Sequence, residues 1–331
     1  MTILSYCNYQ SASCGSLGAH LVELQQQFPA EVRVVLRQYP QPLVEDKSLM
    51  AAFASEAAAL ENHYWEMNDL LYANQADWID LTPAQFNTWL ANQASTLGIA
   101  PQKWTADLAD PRVSATVEKI IQDAAPLSIT STPILFFNNI LVQTGIDTES
   151  LAVLVKYFLL PQKAFTACPP QTIDPARQYL ATFKTEKGDI VFELFPEIAP
   201  VAVNSFVFLA KAGWYDGSSF FQVIPGFVAQ GGDPSDSGLG TPGYRFTREM
   251  NPSVRFDQAG LLALGRDSEG LSGSQFFITY AALPELDGEF TIIGRVVGDM
   301  DALNALRPRN PQQDELLLPA DKLISIEIDE N

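Results

Sequence analysis

Prolines at 161, 169, 170 and 175 crowd the stretch PQKAFTACPPQTIDPAR, residues 161–177 of a chain of 331. Each proline fixes its own φ and lacks an amide hydrogen, so neither a helix nor a sheet ladder can run through the stretch. A chain of this length also exceeds what one hydrophobic core ordinarily organises. Residues 161–177 are therefore expected to link two domains, residues 1–160 and 178–331.

The two sides differ in texture. Before the prolines, residues 2–6 and 31–39 alternate like strands around a helix from Ser11 to Phe28. An alanine-rich helix from Ser48 to Tyr64 continues through Trp65–Ala73, Thr82-Pro83 starts another, and Pro101 and Pro111 open two more. Pro133–Phe137 and Ile140–Gln143 read as a hairpin across Asn138-Asn139, residues that tolerate positive φ, and Asp147–Leu160 as an amphipathic helix. The order is βαβ, helices, ββα, an α/β arrangement with a helical insertion. After the prolines, short strands separated by turn residues dominate, with helices only near Ala199–Ala212 and Met300–Leu306. That pattern predicts a mainly-β closed barrel with two helices.

Composition narrows the function classes. With 39 acidic against 20 basic side chains the net charge is -19, which opposes binding to nucleic-acid phosphates or anionic lipid. No apolar run approaches the roughly 20 residues that span a bilayer, so neither a nucleic-acid partner nor membrane insertion is expected. The three cysteines, Cys7, Cys14 and Cys168, and the two histidines, His20 and His63, are not grouped as metal ligands, so no metal site is expected. Thr2–Tyr6 already reads as a core strand, so the sequence starts at a domain edge and an export leader is expected ahead of it.

Tyr9-Gln10 precedes Ser11-Ala12-Ser13-Cys14 at the start of the first helix, and Ser131-Thr132-Pro133 precedes the penultimate strand. With the element order, these marks resemble a DsbA-type thioredoxin-like domain over residues 1–160. The family carries Cys-x-x-Cys at the first place and a cis-proline at the second. The resemblance thus implies a cis Thr132–Pro133 bond and a vestigial redox site of Ser11, Cys14 and Pro133. A helix N-terminus lowers a thiol pKa and makes the thiolate the nucleophile, whereas the Ser11 hydroxyl can form no disulfide, although it remains a good N-cap. Dithiol exchange of the family type is expected to be absent. Cys14 reads as a small buried apolar side chain, and the sequence leaves open a pairing with Cys7 or Cys168.

Five blocks in the second half, KGDIVFELFP from Lys187, APVAVNSF from Ala199, GFVAQGGD from Gly226, GSQFFIT from Gly273 and Leu286-Asp287-Gly288, resemble a single-domain bacterial-type cyclophilin, a peptidyl-prolyl cis-trans isomerase. Such a domain rotates an X-Pro amide with an apolar socket, polar anchors and a cation near the proline nitrogen, and needs no cofactor. The resemblance puts Phe227, Phe277 and Leu286 in the socket, with Val228 beside them and Gln230 and Gln275 as polar anchors. Strand alternation turns Phe276 to the opposite face. Phe221-Gln222 stands where the family has histidine and its catalytic arginine. Gly265, Arg266, Asp267, Glu285 and Phe290 also depart from the family along the rim. Arg266 reads either as a partial substitute for the missing cation or as a surface ion pair with Asp267 or Glu285.

The resemblance therefore implies a folding factor of isomerase type. Its catalytic set would be Gln222, Phe227 and Gln230, with Phe221, Val228, Gly265, Arg266, Asp267, Gln275, Phe277, Leu286 and Phe290 holding substrate. Its partners would be X-Pro peptides or unfolded proteins, and its turnover would be reduced by Gln222. A non-catalytic peptide-binding scaffold with two degenerate domains is the alternative, and a thiol-disulfide oxidoreductase is opposed by Ser11. The pairing of a DsbA-type domain with an isomerase resembles extracytoplasmic folding machinery, which sets the expected location.

Overall fold

Residues 1–143, 145–267, 269–314 and 318–330 are described by the computed structural model, and the chain divides into two units, Met1–Leu151 and Ala152–Asn331. The first is organised by its first strand, Thr2–Cys7 (β1), which buries Ile3, Ser5, Tyr6 and Cys7. β1 runs parallel to Arg33–Gln38 (β2) and antiparallel to Ile134–Phe137 (β3), which pairs in turn with Ile140–Val142 (β4). The helix Ala12–Gln27 (α1) makes the crossover between β1 and β2, as a parallel pair requires. Asn138 and Asn139 turn the β3–β4 hairpin with φ of 47° and 70°, as their side chains predict.

Between β2 and β3 lie six helices: Ser48–Ala59 (α2), Tyr64–Ala73 (α3), Gln75–Trp78 (α4), Pro83–Thr96 (α5), Pro101–Leu108 (α6) and Pro111–Ala124 (α7). They share a core in which Ala51, Ala54 and Ala57 of α2 let Met67, Leu71, Trp78, Phe86 and Trp104 approach closely. The continuous helix expected from Ser48 to Ala73 is interrupted at Leu60–His63. Asn62 adopts φ of 64°, its amide donates to the Ala59 carbonyl at 3.1 Å and the His63 amide to that of Ala58 at 2.9 Å. These are the two bonds of a left-handed helix terminus, which asparagine accommodates. Thr148–Leu159 (α8) follows β4, and the division between the units falls within it.

The proline-rich stretch is irregular beyond a 3₁₀ turn at Leu160–Gln162, as its locked φ angles demand, but it is packed rather than loose. The Phe165 amide donates to the Pro242 carbonyl at 2.8 Å, and the Phe165 ring meets that of Phe208 with centroids 5.0 Å apart. The Asn204 side chain accepts the amides of Thr172 at 2.8 Å and Ile173 at 3.3 Å. Leu160 and Ile173 lie in the core of the second unit.

That core is wrapped by a nine-stranded sheet of Tyr179–Thr185 (β5), Gly188–Leu194 (β6), Ser218–Ser219 (β7), Gln222–Val223 (β8), Val228–Gly231 (β9), Leu261–Leu264 (β11), Phe276–Thr279 (β13), Thr291–Val296 (β14) and Lys322–Glu330 (β15). Phe246–Thr247 (β10) and Leu271–Ser272 (β12) form a separate pair. The order is β7-β15-β5-β6-β14-β11-β13-β9-β8, so the sheet begins and ends on strands that follow each other in the chain, separated by Phe220 and Phe221. The helix Pro200–Lys211 (α9) contributes Phe206 to a ring cluster with Phe183, Tyr215 and Phe276. The last helix is Asp301–Asn304 (α10), shorter than expected. Among the described residues, no helix is long and apolar enough to cross a membrane.

Candidate active site

β13 sends successive phenylalanines to opposite faces. Phe276 enters the main core, while Phe277 joins Val228, Phe256, Ala263, Leu283 and Ile292 in a second apolar cluster, with Leu286 and Phe290 against it. The Phe256 ring stacks on Phe277 at 5.9 Å between centroids, and Phe290 meets it edge-on at 5.1 Å. Asp287 ties this wall together by accepting the Phe256 amide at 2.7 Å and the Arg255 Nε at 2.9 Å. The Phe256 amide and then Arg255 hold its carboxyl below the ordinary carboxylate range.

Phe277 and Phe290 border a cavity of about 760 Å³. Phe227, Val228, Gln230, Phe277, Leu286 and Phe290 line it, and Gly265, Arg266, Asp267 and Gln275 complete the part of the wall expected from the sequence. The opposite wall, built from Gly238–Thr241, Gly243, Tyr244 and Arg245, was not anticipated. Its available signal was the density of glycine in Gly238-Leu-Gly-Thr-Pro-Gly243. The buried Asp233 carboxylate gathers this loop by accepting the Ser235 amide at 2.8 Å, the Ser237 hydroxyl at 3.1 Å and the Gly240 amide at 2.9 Å. A Cβ on Gly240 would stand 2.0 Å from Asp233 Oδ1, so the loop closes only with glycine there.

Gln275 stitches the two walls. Its Nε2 donates to the carbonyls of Gly238 at 2.9 Å and Gly240 at 3.1 Å, and its Oε1 accepts from Gln230 Nε2 at 3.2 Å. On the rim, Arg245 donates to Asp267 at 2.6 Å and holds that carboxyl below its ordinary value. Asp267 is therefore not the partner of Arg266, and neither is Glu285. The Arg266 guanidinium pairs with Glu289 at 3.2 Å and lies 5.3 Å from the centroid of the Phe290 ring. Glu289 follows Asp287-Gly288, whose turn brings it back over the rim, a placement that residue spacing does not reveal.

Phe221 and Gln222 do not line the cavity. Gln222 faces Gln230 across β8 and β9, so both side chains leave the sheet on the same side, and Gln230 is the one of the pair that lines the cavity. Phe221 is buried under the glycine loop, where a Cβ on Gly238 would meet its ring at 3.2 Å. Gly238, with φ of 74°, folds directly over it, so the Phe221 ring packs beneath the loop.

In the first unit, the Thr132–Pro133 bond is cis. Ser11 caps α1: its Oγ accepts the Cys14 amide at 3.4 Å and donates to the Thr132 carbonyl at 3.4 Å. Ser11, Cys14 and the Thr132-Pro133 turn are thus brought together. Cys7 and Cys14 are free and buried, and Cys168 is free and exposed. Burial opposes ionisation of Cys14, yet hydrogen bonds from Cys7, the Asn8 amide, Ser11 and Thr132 outweigh it and hold the thiol below its ordinary value. Burial, reinforced by Cys14, pushes Cys7 well above that value. Among the described residues, no three His, Cys, Asp or Glu side chains gather to hold a metal ion.

Two family models match the chain, one described as cyclophilin type peptidyl-prolyl cis-trans isomerase over residues 180–328 and one described as thioredoxin over residues 1–157. Peptidyl-prolyl cis-trans isomerase B of Streptomyces anulatus is 41% identical over 162 residues, covering 43% of this chain and 92% of that protein. A peptidyl-prolyl cis-trans isomerase of Helicobacter pylori is 45% identical over 121 residues, covering 37% of this chain and 74% of that protein. Peptidyl-prolyl cis-trans isomerase-like 1 of Mus musculus is 40% identical over 141 residues, covering 42% of this chain and 83% of that protein.

Proposed function

The chain belongs, through its second unit, to the cyclophilin-type peptidyl-prolyl cis-trans isomerases, and we propose that its groove binds X-Pro segments of unfolded polypeptide and turns them over slowly. Rotation about the X-Pro bond requires the nitrogen lone pair to leave conjugation with the carbonyl, a barrier of roughly 18–20 kcal/mol. Phe277, Leu286 and Phe290 receive the proline ring, and the chain flanking it lies along Gly265–Asp267. A donor aimed at the proline nitrogen draws the lone pair out of conjugation. Gln222 holds the position that the resemblance gives to this donor, and Gln230 faces it across the strands.

A neutral amide gives roughly half the strength of a charge-assisted donor. The shortfall, about 1.5–3 kcal/mol of transition-state interaction, corresponds to a rate lower by about 10- to 100-fold. Arg266 does not make up the difference, because Glu289 opposes its charge at 3.2 Å and its guanidinium rests against Phe290. We assign it to the rim. The observation that carries this reading is the intact aromatic socket around Phe277 beside a strand position, 222, without charge.

A protease-coupled assay on an Ala-Pro peptide tests it. The parent chain should give a rate above background, and Gln222→Arg should raise that rate by about 10- to 100-fold. Peptide binding with no acceleration in either chain would make the groove a binding scaffold, and absence of binding would remove the groove assignment altogether. We also infer an extracytoplasmic location from the pairing of a thioredoxin-like unit with an isomerase, which cell fractionation tests.

A further inference from the structure

Residues 152–177 belong to the second unit although they precede the first strand of its sheet, β5. They run behind the glycine-rich wall of the groove. In the part of α8 that lies in this unit, the Lys156 ammonium pairs with the carboxylate of Asp236. The Asp236 side chain is 2% exposed and its Oδ1 finds no hydrogen-bond partner among the described residues, so Lys156 supplies its counter-charge. Asp236 stands with φ of 59° where the loop begins, its amide donating to the Asp233 carbonyl at 2.9 Å. Four residues after Lys156, Leu160 backs Gly240 so closely that a Cβ there would stand 2.7 Å from its Cδ2. A Cβ on Gly243 would stand 2.1 Å from the Phe165 carbonyl oxygen, and the Cys168 thiol donates to the Arg245 carbonyl at 3.7 Å. Gly240, Gly243 and Arg245 themselves line the cavity.

We propose that Lys156 is a positioning residue for this wall: by holding Asp236 it fixes the glycine loop, and with it the width of the groove where the chain flanking the proline passes, an inference that rests on the X-Pro reading of the groove. A buried carboxylate that loses its counter-charge is costly to keep buried, so removal of the ammonium releases Asp236 toward solvent and the loop with it. Glycine has no side chain to anchor the loop from within and the most backbone freedom to regain, so braces from outside decide where the wall stands. The wall meets the flanking chain in the ground state and the transition state alike. Its displacement therefore raises KM and leaves kcat in place.

Lys156→Met, Lys156→Arg and Asp236→Asn in the full chain test this by two readouts. Hydrogen–deuterium exchange over residues 233–245 should be at least about tenfold faster in Lys156→Met than in the parent, while β11 and β13 keep their rates. On an Ala-Pro peptide, KM should rise about threefold or more at constant kcat. Lys156→Arg keeps the cation and should keep both parent values. Asp236→Asn breaks the same pair without stranding a carboxylate, and asparagine accommodates the left-handed φ. It should reproduce the methionine result, and it decides the matter where Lys156→Met does not fold. The proposal is overturned if exchange over residues 233–245 is unchanged, if the methionine and arginine variants behave alike, or if kcat falls while KM stays. A parent with no isomerase rate would remove the X-Pro reading instead, and the exchange comparison would still judge whether Lys156 holds the wall.

Discussion

The head of α1 in the first unit and the groove beside β13 in the second each lack one chemical group that their resemblances place there, but the losses differ in kind. At α1 the missing group is a sulfur that would form and break covalent bonds, and Ser11 keeps only the capping half of its role. In the groove the missing group is a charge that would lower a barrier without bonding, and the aromatic socket around Phe277 is complete without it. Covalent chemistry ends with the loss of its nucleophile. Chemistry by binding and polarisation declines by the strength of one hydrogen bond.

The sharpest way to break this comparison is Ser11→Cys, which restores the Cys-x-x-Cys spacing with Cys14. Catalysis of insulin reduction by dithiothreitol should rise from background to turnover, and no rise would mean that more than one sulfur is missing. Next in size is Phe277→Ala, in which a nearly buried ring is removed from the socket. Urea unfolding should show a loss of about 3–5 kcal/mol, and any isomerase rate should fall to background. If the rate survives, proline is not held there.

Ser11→Ala tests the capping role alone and should lower stability by about 1 kcal/mol with no change in isomerase rate. The smallest effect is expected from Arg266→Ala, which removes an exposed ion pair and one ring contact together worth about 1 kcal/mol or less. Its isomerase rate should stay within about threefold of the parent, and a larger fall would move the catalytic cation from position 222 to position 266.

Local rules made much of this legible. Period-two alternation separated Phe276 from Phe277, the asparagine pair turned the hairpin between β3 and β4, and Thr82-Pro83 capped α5, with Gln85 completing the box. The interruption at Leu60–His63 escaped, because helix propensity runs through it and one asparagine's left-handed φ decides otherwise. The packing of residues 161–177 escaped as well: proline forbids regular hydrogen bonding but does not say whether Phe165 and Ile173 find a core.

By itself, the sequence determined the two element orders and the alternation that turns Phe276 and Phe277 to opposite faces, since each rests on residue type and near-neighbour spacing. Only the tertiary structure decided that Arg266 pairs with Glu289 rather than Asp267 or Glu285, that Phe221 lies beneath Gly238, and that the Cys14 sulfur accepts the Asn8 amide. Charge and thiol chemistry name the kind of partner a side chain accepts. Which partner it meets depends on how turns and strand registers bring separate segments within a few ångströms of each other.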